Sequence, residues 1–138
     1  MLTETIIQAI NDLRDRKEFK KLTGVSKTIV EYLLSEVEEA TRGNKLAVKK
    51  GFRRQKAIPL FEITFSYNSV YVSTIHKFGS ARIKCIKYCE KNDIETVVKA
   101  IETVCAILNW SVDFNKDHTR QTESKMKIGY NIPEEANP

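Results

Sequence analysis

Residues 61–74, FEITFSYNSVYVST, carry the pattern that decides the fold of this chain. The apolar residues Phe61, Ile63 and Phe65 alternate with polar ones, and the same alternation resumes after the turn residues 68–69. A period of two places apolar side chains on one face of a strand, and a tight turn joins two antiparallel strands. The stretch therefore predicts a β-hairpin with one buried face.

A third strand is predicted beyond Gly79. Ile83 and Cys85 alternate with Arg82 and Lys84, so the two apolar residues face one side of the strand and the two bases face the other. We expect the bases on the polar face of the sheet. The other predicted members of that face are Glu62, Thr64, Ser66, Tyr71 and Ser73. The predicted sheet has three antiparallel strands.

Apolar residues at helical spacing predict three helices around this sheet. The first covers residues 6–16. The second begins after Gly24 with Ser26 as its N-cap, and it ends at residues 42–44, where Gly and Asn favour a left-handed stop. The third covers residues 92–108 and has the clearest apolar stripe in the chain.

The order of these elements predicts an α+β fold with two N-terminal helices, the three-stranded sheet and a C-terminal amphipathic helix packed on it. Because the chain has 138 residues, we expect one compact domain over residues 1–114, with a basic loop or arm at 42–57. Residues 115–138 are predicted to form a polar, flexible tail. Within that tail Met126 and Ile128 alternate with lysines, so a further short strand is an alternative there.

The excess positive charge is concentrated in the middle third of the chain. Residues 40–89 contain eleven Lys and Arg and one acid, a net charge of +10, whereas the remainder holds twelve bases and seventeen acids, a net charge of −5. Such a division predicts one strongly positive surface region, and the commonest partner of such a region is a polyanion.

The densest part of this charge is residues 42–56, which hold seven bases and no acid. Side chains at this density neutralise phosphates, and about five contacts would give a log–log salt slope of roughly −4 to −5. A solvated loop and a docking site for an acidic protein are the alternatives. The predicted phosphate contacts are Arg42, Lys45, Lys49, Lys50, Arg53, Arg54 and Lys56 in the arm, and Arg82, Lys84 and Lys87 in the third strand.

Residues 24–30, GVSKTIV, resemble the turn and the start of the recognition helix in helix-turn-helix proteins. In that motif Gly permits the turn, Val packs between the helices and Ser caps the second helix. The resemblance implies that Ser26, Lys27, Thr28 and Glu31 face the major groove. Lys20 departs from the motif, because a small residue is expected there. An ordinary helical hairpin with a capped second helix is the simpler interpretation.

A second resemblance concerns the order helix, three strands, helix over residues 26–108, which is similar in outline to a double-stranded-RNA-binding domain. That outline implies binding of RNA. The sequence departs from it at residues 91–93, Lys-Asn-Asp, where such domains place basic residues at the start of the last helix.

Catalysis and metal binding find little support in the sequence. His76 and His118 are isolated, and the chain has no Gly-rich phosphate loop and no Ser-centred nucleophile elbow. A zinc site built from Cys85, Cys89 and one histidine matches known ligand spacings poorly. We therefore predict no enzyme activity, no cofactor and no metal.

The sequence also predicts where the protein acts and with what. A start without basic or long apolar segments and an odd set of three cysteines indicate a reduced, intracellular, cytoplasmic protein that does not enter a membrane. We expect a small nucleic-acid-binding protein, with DNA favoured over RNA because of the Gly24 turn. The alternative is an interaction module, such as an inhibitor, an immunity protein or an adaptor, that docks its basic patch on an acidic protein. A two-fold homodimer is a further expectation.

Overall fold

The structure, a computed structural model, describes residues 2–49, 60–66, 69–75, 82–87, 94–116 and 123–130. These residues contain four helices and five strands. The helices are α1 (Leu2–Arg14), α2 (Lys17–Lys20), α3 (Gly24–Lys49) and α4 (Ile94–Leu108). The strands are β1 (Leu60–Ser66), β2 (Ser69–Ile75), β3 (Arg82–Lys87), β4 (Trp110–Lys116) and β5 (Glu123–Tyr130).

The strands form one sheet in the order β3-β2-β1-β5-β4, and every neighbouring pair is antiparallel. The predicted α+β class with an antiparallel sheet is confirmed, and so is the hairpin formed by β1 and β2. The prediction of three strands is wrong. Helix α4 is also not the C-terminal element, because β4 follows it directly through Asn109, whose φ of 60° is a left-handed conformation that Asn tolerates.

The strand β5 lies within the predicted flexible tail. It lies between β1 and β4, in the interior of the sheet, and its residues Met126 and Ile128 are 0% and 2% exposed. Their alternation with Lys125 and Lys127 therefore marks a strand with one buried face. Residues 115–116 and 123–130 of the predicted tail are therefore part of the sheet.

The helices cover one face of the sheet. That face supplies Phe61, Ile63 and Phe65 from β1 and Val70 and Val72 from β2, all at most 1% exposed. Helices α1, α3 and α4 contact one another above it. The predicted stripe of α4 is buried, and its members are Val97, Val98, Ile101, Val104, Cys105 and Leu108. Tyr32 of α3 fixes that helix to the sheet, because its hydroxyl lies 3.2 Å from the hydroxyl of the buried Thr74.

Both predicted ends of the long second helix differ from the structure. Helix α3 begins at Gly24, whose φ is +57°, and the Lys27 N–H already donates to the carbonyl of Thr23, so Ser26 lies inside the helix and not at its cap. At the other end the helix continues through Gly43 to Lys49. An interior Gly costs only about 1 kcal/mol, and helix propagation is cooperative, so the good helix formers that follow carry the helix onward.

Candidate nucleic-acid interface

The C-terminal end of α3 carries the first part of the predicted basic arm. This basic end, residues 42–49, was predicted to be a loop and is helical. Its bases Arg42, Lys45 and Lys49 are spaced by three and four residues, which places them on one side of a helix. The segment is therefore part of a regular helix and not the loop or irregular arm that the sequence suggested.

The charge of α3 changes sign along its length. Residues 24–41 contain one base and four acids, a net charge of −3, whereas residues 42–49 contain three bases and no acid, a net charge of +3. Bases near the C-terminal end interact favourably with the partial negative charge of the helix dipole, by about 0.3–1 kcal/mol each at low ionic strength within the last turn and by less at Arg42, which lies further from the helix end. Part of the positive charge is thus accommodated by the helix itself.

A buried acid joins the basic end to α1. Glu38 has a side chain that is 10% exposed, and its two carboxylate oxygens accept from two arginines. Arg14 Nη2 lies 2.5 Å from Oε1, and Arg42 Nη2 lies 3.4 Å from Oε2. The arginine side chains remain 34% and 69% exposed, respectively. Next to Arg42, the buried hydroxyl of Thr41 donates to the helix carbonyls of Val37 and Glu38.

Lys27 and Thr28 are exposed, as a role in DNA binding requires, but they lie at the opposite end of α3. Fifteen residues separate Lys27 from Arg42, or about 22 Å along a straight helix. The surroundings depart from a helix-turn-helix, because α2 has only four residues and Ser26 is 6% exposed. Thr28 uses its hydroxyl locally, since it donates to the carbonyl of Gly24 at 3.1 Å.

The sheet does not bring the three strand bases together. Arg82 pairs with Thr74 and Lys84 with Val72, and both partners lie on the helix-covered face, whereas Lys87 pairs with Ser69 on the other face. By register, Arg82 and Lys84 therefore occupy positions of the helix-covered face and not of the polar face on which they were expected.

The face of the sheet away from the helices, called the open face below, is polar and balanced in charge. Among its described side chains, Glu62 and Asp113 oppose Lys125 and Lys127, and Lys125 Nζ lies 3.8 Å from a carboxylate oxygen of Glu62. This balance gives the open face no preference for a polyanion. Ile83 of β3 lies there and is 68% exposed, although its apolar character suggested a buried position.

Several predicted site residues lie outside the described residues. They are Lys50, Arg53, Arg54 and Lys56, together with three members of the conceivable zinc site, Cys89, His76 and His118. In the part of the chain that the structure describes, no group of three His, Cys, Asp or Glu side chains is arranged to hold a metal ion. The described Cys105 is an inert thiol, because burial, with a smaller contribution from Glu102, raises its pKa to about 12.

Sequence reasoning missed two features. Arg14 joins the basic end through a contact with a residue 24 positions away, and no local pattern signals such a contact. An apolar corner of the open face, formed by Leu60, Ile75 and Ile83, is 39–68% exposed. The sequence did contain a signal for Leu60 and Ile75. Both are apolar residues at positions that the alternation in β1 and β2 assigns to the polar face.

Comparison of the chain with known protein families, with curated proteins and with solved structures finds no match. None of the described helices is both long enough and apolar enough to cross a membrane.

Proposed function

We propose that this protein is a small, non-enzymatic nucleic-acid-binding protein that holds the phosphate backbone with the basic end of α3 and the bases that follow it. The observation that carries the proposal is the row formed by Arg42, Lys45 and Lys49 on one side of a helix. No acid occurs from residue 40 to residue 61, and four further bases follow in the sequence at residues 50–56.

A preformed row of bases suits a regularly charged polymer. Each phosphate that a Lys or Arg neutralises releases condensed counterions, and this release supplies most of the affinity in sequence-independent binding. A helix fixes the spacing of its side chains, so less conformational freedom is lost on binding than from a flexible loop. Both effects act on the phosphate backbone and not on the bases of the nucleic acid.

The earlier preference for DNA depended on the Gly24 turn. The short α2 and the buried Ser26 remove much of that support. The proposal therefore names the duplex backbone as what is recognised, with DNA as the first ligand to test. Base reading by Lys27 and Thr28 is an additional part of the proposal, which sequence selectivity would test separately.

A protein partner is the second candidate, and the apolar corner of the open face favours it. Leu60, Ile75 and Ile83 expose apolar surface that a polyanion would not cover. Exposed apolar side chains beside a polar surface are typical of protein interaction sites when they form a contiguous patch. In this alternative the basic end contributes charge complementarity to an acidic partner.

Fluorescence anisotropy with labelled duplex DNA, single-stranded DNA and duplex RNA tests the proposal, at several salt concentrations. The variant K49A/K50A/R53A/R54A removes four bases from the proposed site. The control K17A/K99A/K125A/K127A removes four exposed lysines from α2, α4 and β5, so that both variants lose the same charge. Circular dichroism checks that each variant is folded.

We expect the wild type to bind duplex with a salt slope near −5, and the site variant to lose about 3–4 units of that slope. The control should keep most of the slope, because its lysines lie elsewhere. Equal losses in both variants would mean that only net charge matters and would contradict the proposed site. No binding at low salt would contradict the function and favour the protein partner.

A further inference from the structure

Glu38 holds two arginines from different helices at one place on the surface. Arg14 lies in the last turn of α1, and Arg42 begins the basic end of α3. Each arginine takes a different oxygen of the same carboxylate, so the two guanidinium groups flank Glu38 side by side. The contact brings a cation from the beginning of the chain next to the row on α3.

The exposure of the three side chains differs in a way that matters for an approaching anion. The Glu38 side chain is 10% exposed, whereas those of Arg14 and Arg42 are 34% and 69% exposed. A ligand at this surface therefore meets two cations, with the acid beneath them. Arg14, Glu38 and Arg42 together keep a net charge of +1. Interactions of partly exposed charges such as these are sensitive to salt.

The guanidinium groups keep donors for a ligand. An arginine has five N–H donors, and Glu38 accepts from Nη2 of each arginine. The Arg42 contact, at 3.4 Å, is long for a charge-assisted hydrogen bond. The shorter Arg14 contact restricts that side chain, so that less of its conformational freedom remains to be lost when it binds a phosphate.

We propose that Arg14 is a further phosphate-binding residue of the same surface, and that Glu38 holds its guanidinium beside that of Arg42. This inference rests on the proposed function and extends its surface from α3 to α1. The ligand is a phosphate group of the nucleic-acid backbone, which a planar guanidinium recognises with paired N–H donors. The site thus includes a residue 28 positions before Arg42 in the chain.

The variant R14A tests the inference, with R16A as its matched control. Arg16 is 51% exposed and pairs with Glu18 at 3.3 Å, so each substitution removes one charge and one ion pair. We expect R14A to reduce the salt slope by about 0.9 and to weaken duplex binding about five- to tenfold at 0.1 M salt, as the loss of one phosphate contact predicts. R16A should leave the slope unchanged.

A second variant and a spectroscopic readout separate binding from a purely structural role. R14K keeps the charge and should restore the slope while it loses the planar contact with Glu38. In the wild type, the Nε–Hε resonance of Arg14 should shift when duplex is added, and that of Arg16 should not. These resonances remain informative even if R14A is poorly folded.

Three outcomes would overturn the inference. An R14A variant that is less stable but binds with the wild-type slope would make the ion pair purely structural. An unshifted Arg14 resonance in the saturated complex would lead to the same conclusion. With either of these two results for Arg14, loss of binding in K49A/K50A/R53A/R54A would leave the proposed function standing, and only the role of Arg14 would fail. Absence of binding by the wild type would overturn both.

Discussion

The two parts of helix α3 differ in what they contact. Residues 24–41, called the anchored part below, bury Ile29, Val30, Leu33, Leu34 and Val37 at 0–2% exposure against the sheet and the other helices. The basic end begins at Arg42, whose side chain is 69% exposed. One continuous helix therefore changes from a core element into a charged surface element within about one turn.

This difference separates residues that the fold requires from residues that it does not explain. In the anchored part, apolar burial accounts for the sequence, since each buried aliphatic side chain contributes about 1.5–3 kcal/mol. In the basic end the stabilising contributions are smaller: Arg42 pairs with Glu38, and the helix dipole contributes about 0.3–1 kcal/mol per base at most. Charges that exceed the needs of the fold are the best candidates for function.

Leu34→Ala should have the largest effect on stability. Leu34 is fully buried, so the substitution leaves a cavity and should reduce the free energy of unfolding by about 2–5 kcal/mol. Ser35→Ala, at the next and exposed position, should change it by no more than about 0.5 kcal/mol. Urea denaturation measures both. A loss below about 1 kcal/mol for Leu34→Ala would mean that the anchored part is not packed as described.

Glu38→Ala should have an intermediate effect, because Glu38 lies at the junction of the two parts. The substitution removes both ion pairs, and the freed arginines can reach water. We expect a loss of about 1–2 kcal/mol, between the values for exposed and for buried pairs. Glu18→Ala, which breaks an exposed and solvent-screened pair, should cost clearly less. Equal losses would show that burial of Glu38 has no energetic consequence.

Those parts of the fold that depend on local periodicity could be predicted from sequence. Phe61, Ile63 and Phe65 mark β1 because every second residue is apolar, and the stripe from Val97 to Leu108 marks α4 by the helical period. Both patterns follow from the direction in which consecutive side chains point. They require no knowledge of distant residues.

The other parts depend on long-range contacts. Strand β5 pairs with β1, some sixty residues earlier, and only that pairing explains why Met126 and Ile128 are buried. The face occupied by Arg82 depends on the register with β2, since a shift of one residue moves every side chain to the opposite face. The continuation of α3 past Gly43 reflects cooperativity, which a local stop signal does not include.

The candidate site was predictable in composition but not in shape. Counting charges identified the basic segment that contains Arg42, Lys45 and Lys49, because net charge is a property of the sequence. Their alignment on a helix required the structure, and so did the contact between Glu38 and Arg14.

Alkaline pH should reveal how well the core beneath the anchored part excludes water. Burial raises the pKa of Cys105 from 9.0 to about 12, and its helix α4 contacts α3. The folded state therefore holds this proton more tightly than the unfolded state does. The stabilisation is complete below pH 9 and is lost as the pH rises from 9 towards 12.

At pH 10 ionisation of the Cys105 thiol in the unfolded state should reduce the free energy of unfolding by roughly 1 kcal/mol relative to pH 8. Other groups also titrate there, so the quantity to measure is the difference between the wild type and Cys105→Val. A variant with the same pH dependence as the wild type would show that water reaches the thiol.

Lys45→Ala combined with Lys49→Ala should have the smallest effect on stability, about 0.5 kcal/mol or less at 0.1 M salt. The loss of two favourable dipole interactions is offset by the higher helix propensity of Ala. The same double variant should lower the magnitude of the salt slope for duplex binding by about 2. If it instead destabilised the protein more than Glu38→Ala and left binding unchanged, these charges would serve the fold. The distinction between the anchored part and the basic end would then lose its functional meaning.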